Sequence, residues 1–409
     1  MAASLLPSPR QVRIFAAVAA AQSISGAARA INLSQPGVTQ AIRALERRVD
    51  AALFDRRGSG CYLTPAGSIL AARIERFVER LRFAVSESAG PAHGGAPAPD
   101  VVINRITAAQ IRGLIAASEH GSFAAAARSL NISEPSLHRA AKSLERELRR
   151  RLYQRTSQGM TATPQGKEIA RRFQVALREL GYGIEELQAA RGNVVTRIVI
   201  GNVPHSGTQV LSAAIEAFLN AYPTATVEIV DDHYEALLDR LRAGKIDLLY
   251  GVLRRPAWAA DVVEETLFTN TYVVVGRARH PLRRARQLDL RDLARYDWIM
   301  PGPMTPRRQA FRQIFAGLSA PPRISVETTS LQIYRDLLSA TDRLTLMSAL
   351  EARLNDRKQL AALPFKSPTL RRADGLARRR DWHPTDIHRY FLKVLRAKAR
   401  GLQLVRGKT

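Results

Sequence analysis

The chain repeats itself. At a fixed offset of 99 residues, with no gap, Ala28-Arg29 returns as Ala127-Arg128 and Leu45-Glu46-Arg47 as Leu144-Glu145-Arg146. Ser34-Gln35-Pro36 returns as Ser133-Glu134-Pro135, Phe54 and Arg56 as Tyr153 and Arg155, and Thr64-Pro65 with Gly67 as Thr163-Pro164 with Gly166. Two copies of roughly 70 residues make a duplicated domain, since the units of a solenoid are shorter and more numerous. Between them, Gly90 to Pro99 is rich in Gly and Pro, so residues 88–101 are expected to be a linker.

Each copy has the same local grammar. In the first, Val12, Phe15, Val18 and Ala19 recur at helical spacing. A short helix is expected from Ser25, as cap, to Ala30, and Asn32-Leu33 reads as a tight break. Ser34 caps a third helix whose first turn tolerates Pro36. Val38, Ile42, Leu45 and Val49 share one face of it, while Gln35, Thr39 and Arg43 share another, with Gln40 beside them. A hairpin carrying Arg56-Arg57 follows, then a long helix opened by Pro65. Helix, short helix, turn, helix, wing and long helix spell a winged helix-turn-helix. The polar face of the third helix suits base edges in a major groove, where arginine favours guanine and glutamine favours adenine. The wing arginines suit phosphates, which set register without reading sequence.

The charge supports a polyanionic partner. Lys plus Arg number 62 against 36 Asp plus Glu, a net of +26. The surplus is +6 in residues 1–90, +6 in 91–193, +3 in 194–350 and +11 in 351–409. A single cysteine, Cys61, excludes an intrachain disulfide framework, a cysteine-rich zinc site and a two-thiol redox sensor. No run of 18 apolar residues predicts a membrane span, and the apolar stretch near Ile14 reads as a folded helix with no leader before it. A cytoplasmic protein is expected.

Residues 11–67 resemble the DNA-binding domain of LysR-type transcriptional regulators. The resemblance rests on Ser25-Gly26-Ala27-Ala28, Leu33-Ser34-Gln35-Pro36, Ile42-Arg43-Ala44-Leu45-Glu46, Leu53-Phe54-Asp55-Arg56 and Leu63-Thr64-Pro65-Ala66-Gly67. That family normally carries one such domain, and this chain has two. The resemblance implies duplex DNA contacts from Ser34, Gln35, Pro36, Thr39, Gln40, Arg43, Arg56 and Arg57. In the second copy the matching positions are Ser133, Glu134, His138, Arg139, Lys142 and Arg155. There Glu134 replaces Gln35, a change that suits the helix dipole and cytosine N4 but repels phosphate. The alternative is a second copy kept only for oligomer packing. The stripe Ile169, Phe173, Ala176, Leu180, Ile184 and Leu187 along residues 164–190 resembles the linker helix that pairs subunits.

After Arg191-Gly192 the texture changes. Short apolar strands at Arg197 to Gly201, Val227 to Val230 and Ile246 to Gly251 alternate with helices, which predicts a parallel α/β sheet. Residues 195–400 resemble the family's two-lobed, periplasmic-binding-protein-like effector domain. The fold class expected is therefore α/β plus α, two winged helix-turn-helix domains followed by that effector domain. The boundaries expected are 1–87 for the first winged domain, 102–163 for the second and 164–193 for the linker helix. Lobe I is expected at 194–269 and 363–409, and lobe II at 270–362.

Ligands of open α/β sheets sit beyond the carboxyl ends of the strands. That rule, with the resemblance, singles out Pro204, His205, Ser206, His233, Tyr234, Pro301, Gly302, Thr328 and Thr329 for an anionic or aromatic effector. The basic tail, with Arg378-Arg379-Arg380 and a helix anchored by Phe391, Val394 and Leu395, reads either as a further DNA contact or as a solvated or subunit-facing surface. No GxSxG, Walker loop or HExxH is present, and His205 with His233 lacks a third ligand, so no enzyme, metal or cofactor is expected. The reading is a sequence-specific transcription regulator controlled by a small molecule. Its expected partners are duplex DNA, the effector, further copies as a homodimer or homotetramer, and RNA polymerase, with no membrane. The alternatives are an architectural DNA-binding protein, or a solute-binding α/β module whose second helix-turn-helix serves only oligomerisation.

Overall fold

The structure, a computed structural model, describes residues 7–58, 60–88, 98–157, 159–192, 196–204, 207–254, 259–354, 359–365 and 371–406. It divides into two compact units, Met1–Thr196 with Arg242–Gly244 and Arg197–Leu241 with Lys245–Thr409.

The first unit opens with α1 (Pro9–Ala21), α2 (Ile24–Ala30) and α3 (Gln35–Val49), then the hairpin β1 (Phe54–Arg57) and β2 (Gly60–Leu63), then the long α4 (Pro65–Ser88). A short α5 (Pro99–Arg105) follows. The order then recurs as α6 (Ala108–His120), α7 (Phe123–Leu130), α8 (Glu134–Leu148), β3 (Tyr153–Thr156), β4 (Gly159–Ala162) and α9 (Pro164–Ala190). Two expectations are corrected. Ser23, not Ser25, caps α2, its Oγ accepting from the Gly26 N–H. The segment read as linker is helical from Pro99, where proline occupies a first-turn position that needs no N–H donor.

The repeated residues are the ones that hold each winged unit together. Glu46 Oε1 accepts from the N–H groups of Leu53 and Phe54, at 2.9 and 3.3 Å. Glu145 Oε1 does the same for Leu152 and Tyr153, at 2.8 and 3.1 Å. One carboxylate thus ties the third helix to the start of the wing. Glu46→Ala is expected to cost about 1–3 kcal/mol, because two donors lose a charged acceptor. A lower thermal midpoint that Glu46→Gln largely restores would show it. The tight break is a left-handed Asn in both copies, Asn32 and Asn131, with φ of 53° and 54°. Thr64 and Thr163 cap the long helices, accepting from the N–H groups of Gly67 and Gly166. Both winged units share one continuous apolar core, which includes Phe15, Val38, Ile42 and Leu45 together with Phe123, Leu137, Leu144 and Phe173. Within it α4 and α9 make the most extensive helix–helix contact among the described residues.

The second unit runs β5 (Arg197–Asn202), α10 (Thr208–Ala221), β6 (Thr226–Asp231), α11 (Tyr234–Arg242), β7 (Leu248–Val252) and a 16-residue β8 (Val262–Arg277). Then come α12 (Leu290–Ala294), β9 (Trp298–Met300), α13 (Pro306–Ile314), β10 (Ile324–Glu327), α14 (Leu331–Ala340), β11 (Thr345–Ser348) and α15 (Ala349–Leu354). It closes with β12 (Leu360–Ala362), β13 (Arg371–Arg379) and α16 (Asp386–Arg406). The main sheet has the order β11-β8-β13-β7-β5-β6, with β12 also on β8, and β9 pairs β10 separately.

The three strands expected to be parallel are so, β5 pairing in parallel with β6 and β7. The sheet as a whole is mixed, which was not foreseen, because β13 returns antiparallel between β7 and β8. The first part of β8, Val262 to Thr271, pairs with β13; from Tyr272 onward it pairs with β11 and β12. One strand therefore serves both lobes.

Candidate functional sites

The third helix of the first winged unit is organised as the sequence suggests. Ser34 Oγ accepts from the Gly37 N–H at 3.2 Å, and Val38, Ile42, Leu45 and Val49 are buried. Gln35, Pro36, Gln40 and Arg43 are exposed and Thr39 is half-buried. Arg56 and Arg57 are exposed on the wing, where the Arg57 guanidinium donates to Asp55 at 2.8 Å. In the second unit Ser133 caps α8, and Glu134, Arg139, Lys142 and Arg155 are exposed. His138 is more committed. Its ring lies 4.6 Å from Phe123, and its Nε2 stands 3.7 Å from Glu134. Arg139 and Lys142 also line an open groove with Arg146, Arg149, Arg150 and Arg151, in which Glu145 is the one carboxylate among the lining residues.

The second unit holds a cavity of about 520 Å³ at the carboxyl ends of its strands. Pro204 after β5, His233 and Tyr234 after β6, Pro301 and Gly302 after β9 and Thr329 after β10 all line it, as singled out from sequence. His205 and Ser206 lie outside the described residues. Thr328 is not in the lining: its Oγ1 accepts from the Ser330 N–H, and its own N–H donates to the Met300 carbonyl, so it shapes the turn. The hydroxyl of this buried Tyr234 donates to Glu264 at 2.6 Å. Burial, reinforced by that bond, raises the phenol above its usual range.

Three buried arginines in the lining were not foreseen: Arg254, Arg307 and Arg372. Arg307 Nη2 lies 3.0 and 3.1 Å from the two carboxylate oxygens of Glu351. Arg372 donates from Nε and Nη2 to both oxygens of Asp374, at 2.9 and 2.8 Å, and stacks 5.2 Å from the Tyr272 ring centre. Burial pulls the Arg372 guanidinium down, but Tyr272 and Asp374 more than offset it, so its pKa is raised. Arg254 differs. Burial is its largest influence, Glu235 at 3.6 Å only partly offsets it, and its pKa is lowered. Arg254 follows β7, so the strand-end rule applied to that strand would have found it. Arg307 stands in the first turn of α13 after a Pro-rich loop. Arg372 lies on β13, far away in sequence, and nothing local announces it.

The basic tail is in part structural. Arg379 is buried and donates to the carbonyls of Leu241 and Ile246, at 2.8 and 3.2 Å, which removes it from any DNA surface. On α16, Phe391 and Leu395 are buried, as expected, and Val394 is half-buried. Among the described residues, no group of three His, Cys, Asp or Glu is placed to hold a metal, and no helix is long and apolar enough to cross a membrane.

Comparison with known proteins settles the family. Residues 191–400 match the LysR substrate binding domain, and residues 9–68 and 108–167 each match the bacterial regulatory helix-turn-helix protein of the lysR family. The chain belongs to the LysR family. The HTH-type transcriptional regulator GalR of Pseudomonas putida is 31% identical to this LysR-family chain over 377 residues, covering 91% of this chain and 93% of that protein. The hydrogen peroxide-inducible genes activator of Haemophilus influenzae is 28% identical over 270 residues, 65% of this chain and 88% of that one. A full-length OxyR variant from Pseudomonas aeruginosa, 22% identical, covers 71% of this chain and 94% of its own, with a TM-score of 0.55, and so shares the fold.

Proposed function

We propose that this LysR-family protein is a sequence-specific transcription regulator that reads duplex DNA and responds to a small-molecule effector. The observation that carries the reading is the capped helix α3, apolar on the side facing the core and presenting Gln35, Gln40 and Arg43 to solvent. Arg43 reads a base, and Arg56 and Arg57 hold phosphates. In the second winged unit Glu134, Arg139, Lys142 and Arg155 take the equivalent places, so the chain has two DNA-reading heads. Further copies, as dimer or tetramer, and RNA polymerase complete the set of partners.

The effector occupies the arginine-lined cavity of the second unit. Its walls call for a small anion with an apolar or aromatic body. The carboxylate goes to the buried Arg254 beyond the end of β7, and the ring goes between Tyr234, Tyr272 and Met304. Occupancy shifts the balance between lobe arrangements and so the geometry of the heads.

Gel shifts on DNA selected by the wild-type protein test the DNA half of this reading. Arg43→Ala is expected to lose about 1–3 kcal/mol of discrimination at one base position while still binding DNA. Arg56→Ala is expected instead to weaken all sequences alike and to reduce the salt slope by about one unit. Binding with no sequence preference in the wild type would point to an architectural protein, and unchanged preference in Arg43→Ala would remove Arg43 as a reader.

A further inference from the structure

The contact between α4 and α9 has a two-fold character that the 99-residue repeat makes visible. The Arg73 guanidinium lies 5.3 Å from the Tyr182 ring centre, and Arg172 lies 4.7 Å from that of Phe83. Arg172 is the repeat equivalent of Arg73, and Tyr182 that of Phe83. The two contacts are therefore one contact with the copies exchanged, the signature of an isologous interface. The helices run antiparallel, since Arg73 reaches forward to Glu186 while Phe83 meets Arg172. At the centre, Arg80 Nε donates to Glu179 at 3.0 Å, and these two residues are again 99 positions apart. They meet on the local two-fold axis.

That axial pair decides which helices can associate. Pairing α4 with the α4 of another chain would set Arg80 against Arg80, and pairing α9 with α9 would set Glu179 against Glu179. Glu179 is 2% exposed, so like charges there would be desolvated together, at a cost that excludes both pairings. Only α4 with α9 is complementary, and within one chain the two are held at high effective concentration. Gly183 adds a steric fit: a Cβ there would come within 3.1 Å of the Arg73 side chain.

We infer that a single chain supplies a complete, two-headed DNA-reading unit, in which α4 and α9 form an internal pseudo-dimer and the two heads take two non-identical half-sites. This rests on the proposed reading of DNA by α3 and extends it to α8. The heads are not copies in their chemistry. Gln35, Thr39, Gln40 and Arg43 on α3 correspond to Glu134, His138, Arg139 and Lys142 on α8. An operator for this chain is therefore asymmetric, one half-site selected by each helix.

The test uses the full chain and duplex DNA selected from a random pool. The selected motif is expected to contain two different half-sites, and native mass spectrometry combined with footprinting is expected to count two protected half-sites for each bound chain. Reselection with Arg43→Ala is expected to relax one half-site only, and with Lys142→Ala the other only, each weakening the intact site by about tenfold or more. Circular dichroism melts confirm that both variants remain folded. A selected inverted repeat with one half-site per chain, or a footprint indifferent to Lys142→Ala, would overturn the inference while leaving DNA reading by α3 intact. No selection of any sequence would overturn the reading of DNA itself, and this inference with it.

Discussion

Gly166→Ala is expected to destabilise the first unit by at least about 4 kcal/mol, with Gly67→Ala doing the same in the other copy. A Cβ at Gly166 would fall 2.2 Å from the Leu152 carbonyl oxygen, and one at Gly67 would fall 2.1 Å from that of Leu53. Neither obstacle is a side chain that can swing aside. Those carbonyls also accept from the N–H groups of Thr163 and Thr64, at 2.8 and 3.1 Å, so the wing and the capped start of the long helix are fixed against each other there. The new methyl must part them, breaking that backbone hydrogen bond as well as the contact. Gly58→Ala, with nothing within 4 Å of its Cβ, is the matched control and is expected to stay within about 0.5 kcal/mol of the parent. Urea midpoints of the three proteins decide the matter. A Gly166→Ala protein as stable as the control would mean that the helix and wing are not so closely joined.

Replacing Glu179 by leucine is expected to cost about 3–5 kcal/mol, a loss of a different origin. Glu179 lies between two guanidinium groups, with Arg73 Nη1 at 2.9 Å and Arg80 Nη2 at 2.9 Å, and the Arg73 side chain is only 3% exposed. Glu186, 2.5 Å from Arg73, remains in the variant. The cost arises from buried positive charge left without its central counter-charge. It follows that removing the charge together with its counter-charge should undo the damage. The double variant Arg80→Leu, Glu179→Leu, which removes one charge of each sign and leaves Arg73 with Glu186, is expected to recover most of the lost stability, since apolar residues of similar volume often match a buried ion pair. Chemical denaturation of the full chain, with the single and double variants side by side, distinguishes charge from packing. Equal losses in both would assign the effect to shape.

Much of the first unit was legible because its determinants are local. A cap, a left-handed Asn, a period of 3.6 and a Thr-Pro-x-Gly junction each act over a few residues, and the repeat stated them twice. What escaped there was small, such as Ser23 rather than Ser25 at the start of α2, where two serines compete for one cap. The contact of α4 with α9 was not legible, although the stripe on α9 was, because a stripe tells that a helix is buried and not against what. In the second unit the strand-end rule located six of the cavity residues by position. It missed Arg372 for the reason it missed the mixed sheet. The strand β13 reaches its neighbours only after the chain has built the other lobe, and no short window of sequence records that return.

The unbroken β8 sets a limit on how the effector domain can move. At Thr271 the strand lies opposite Arg371, and one residue later, at Tyr272, it lies opposite Ser348 of the other lobe. No slack loop separates the two allegiances, so opening and closing must be taken up as torsion in a continuous ribbon. Tyr272 and Arg372, which flank that point, are also cavity walls. A molecule lodged there grips the pivot directly, as a wedge set into the pin of a door rather than against its free edge.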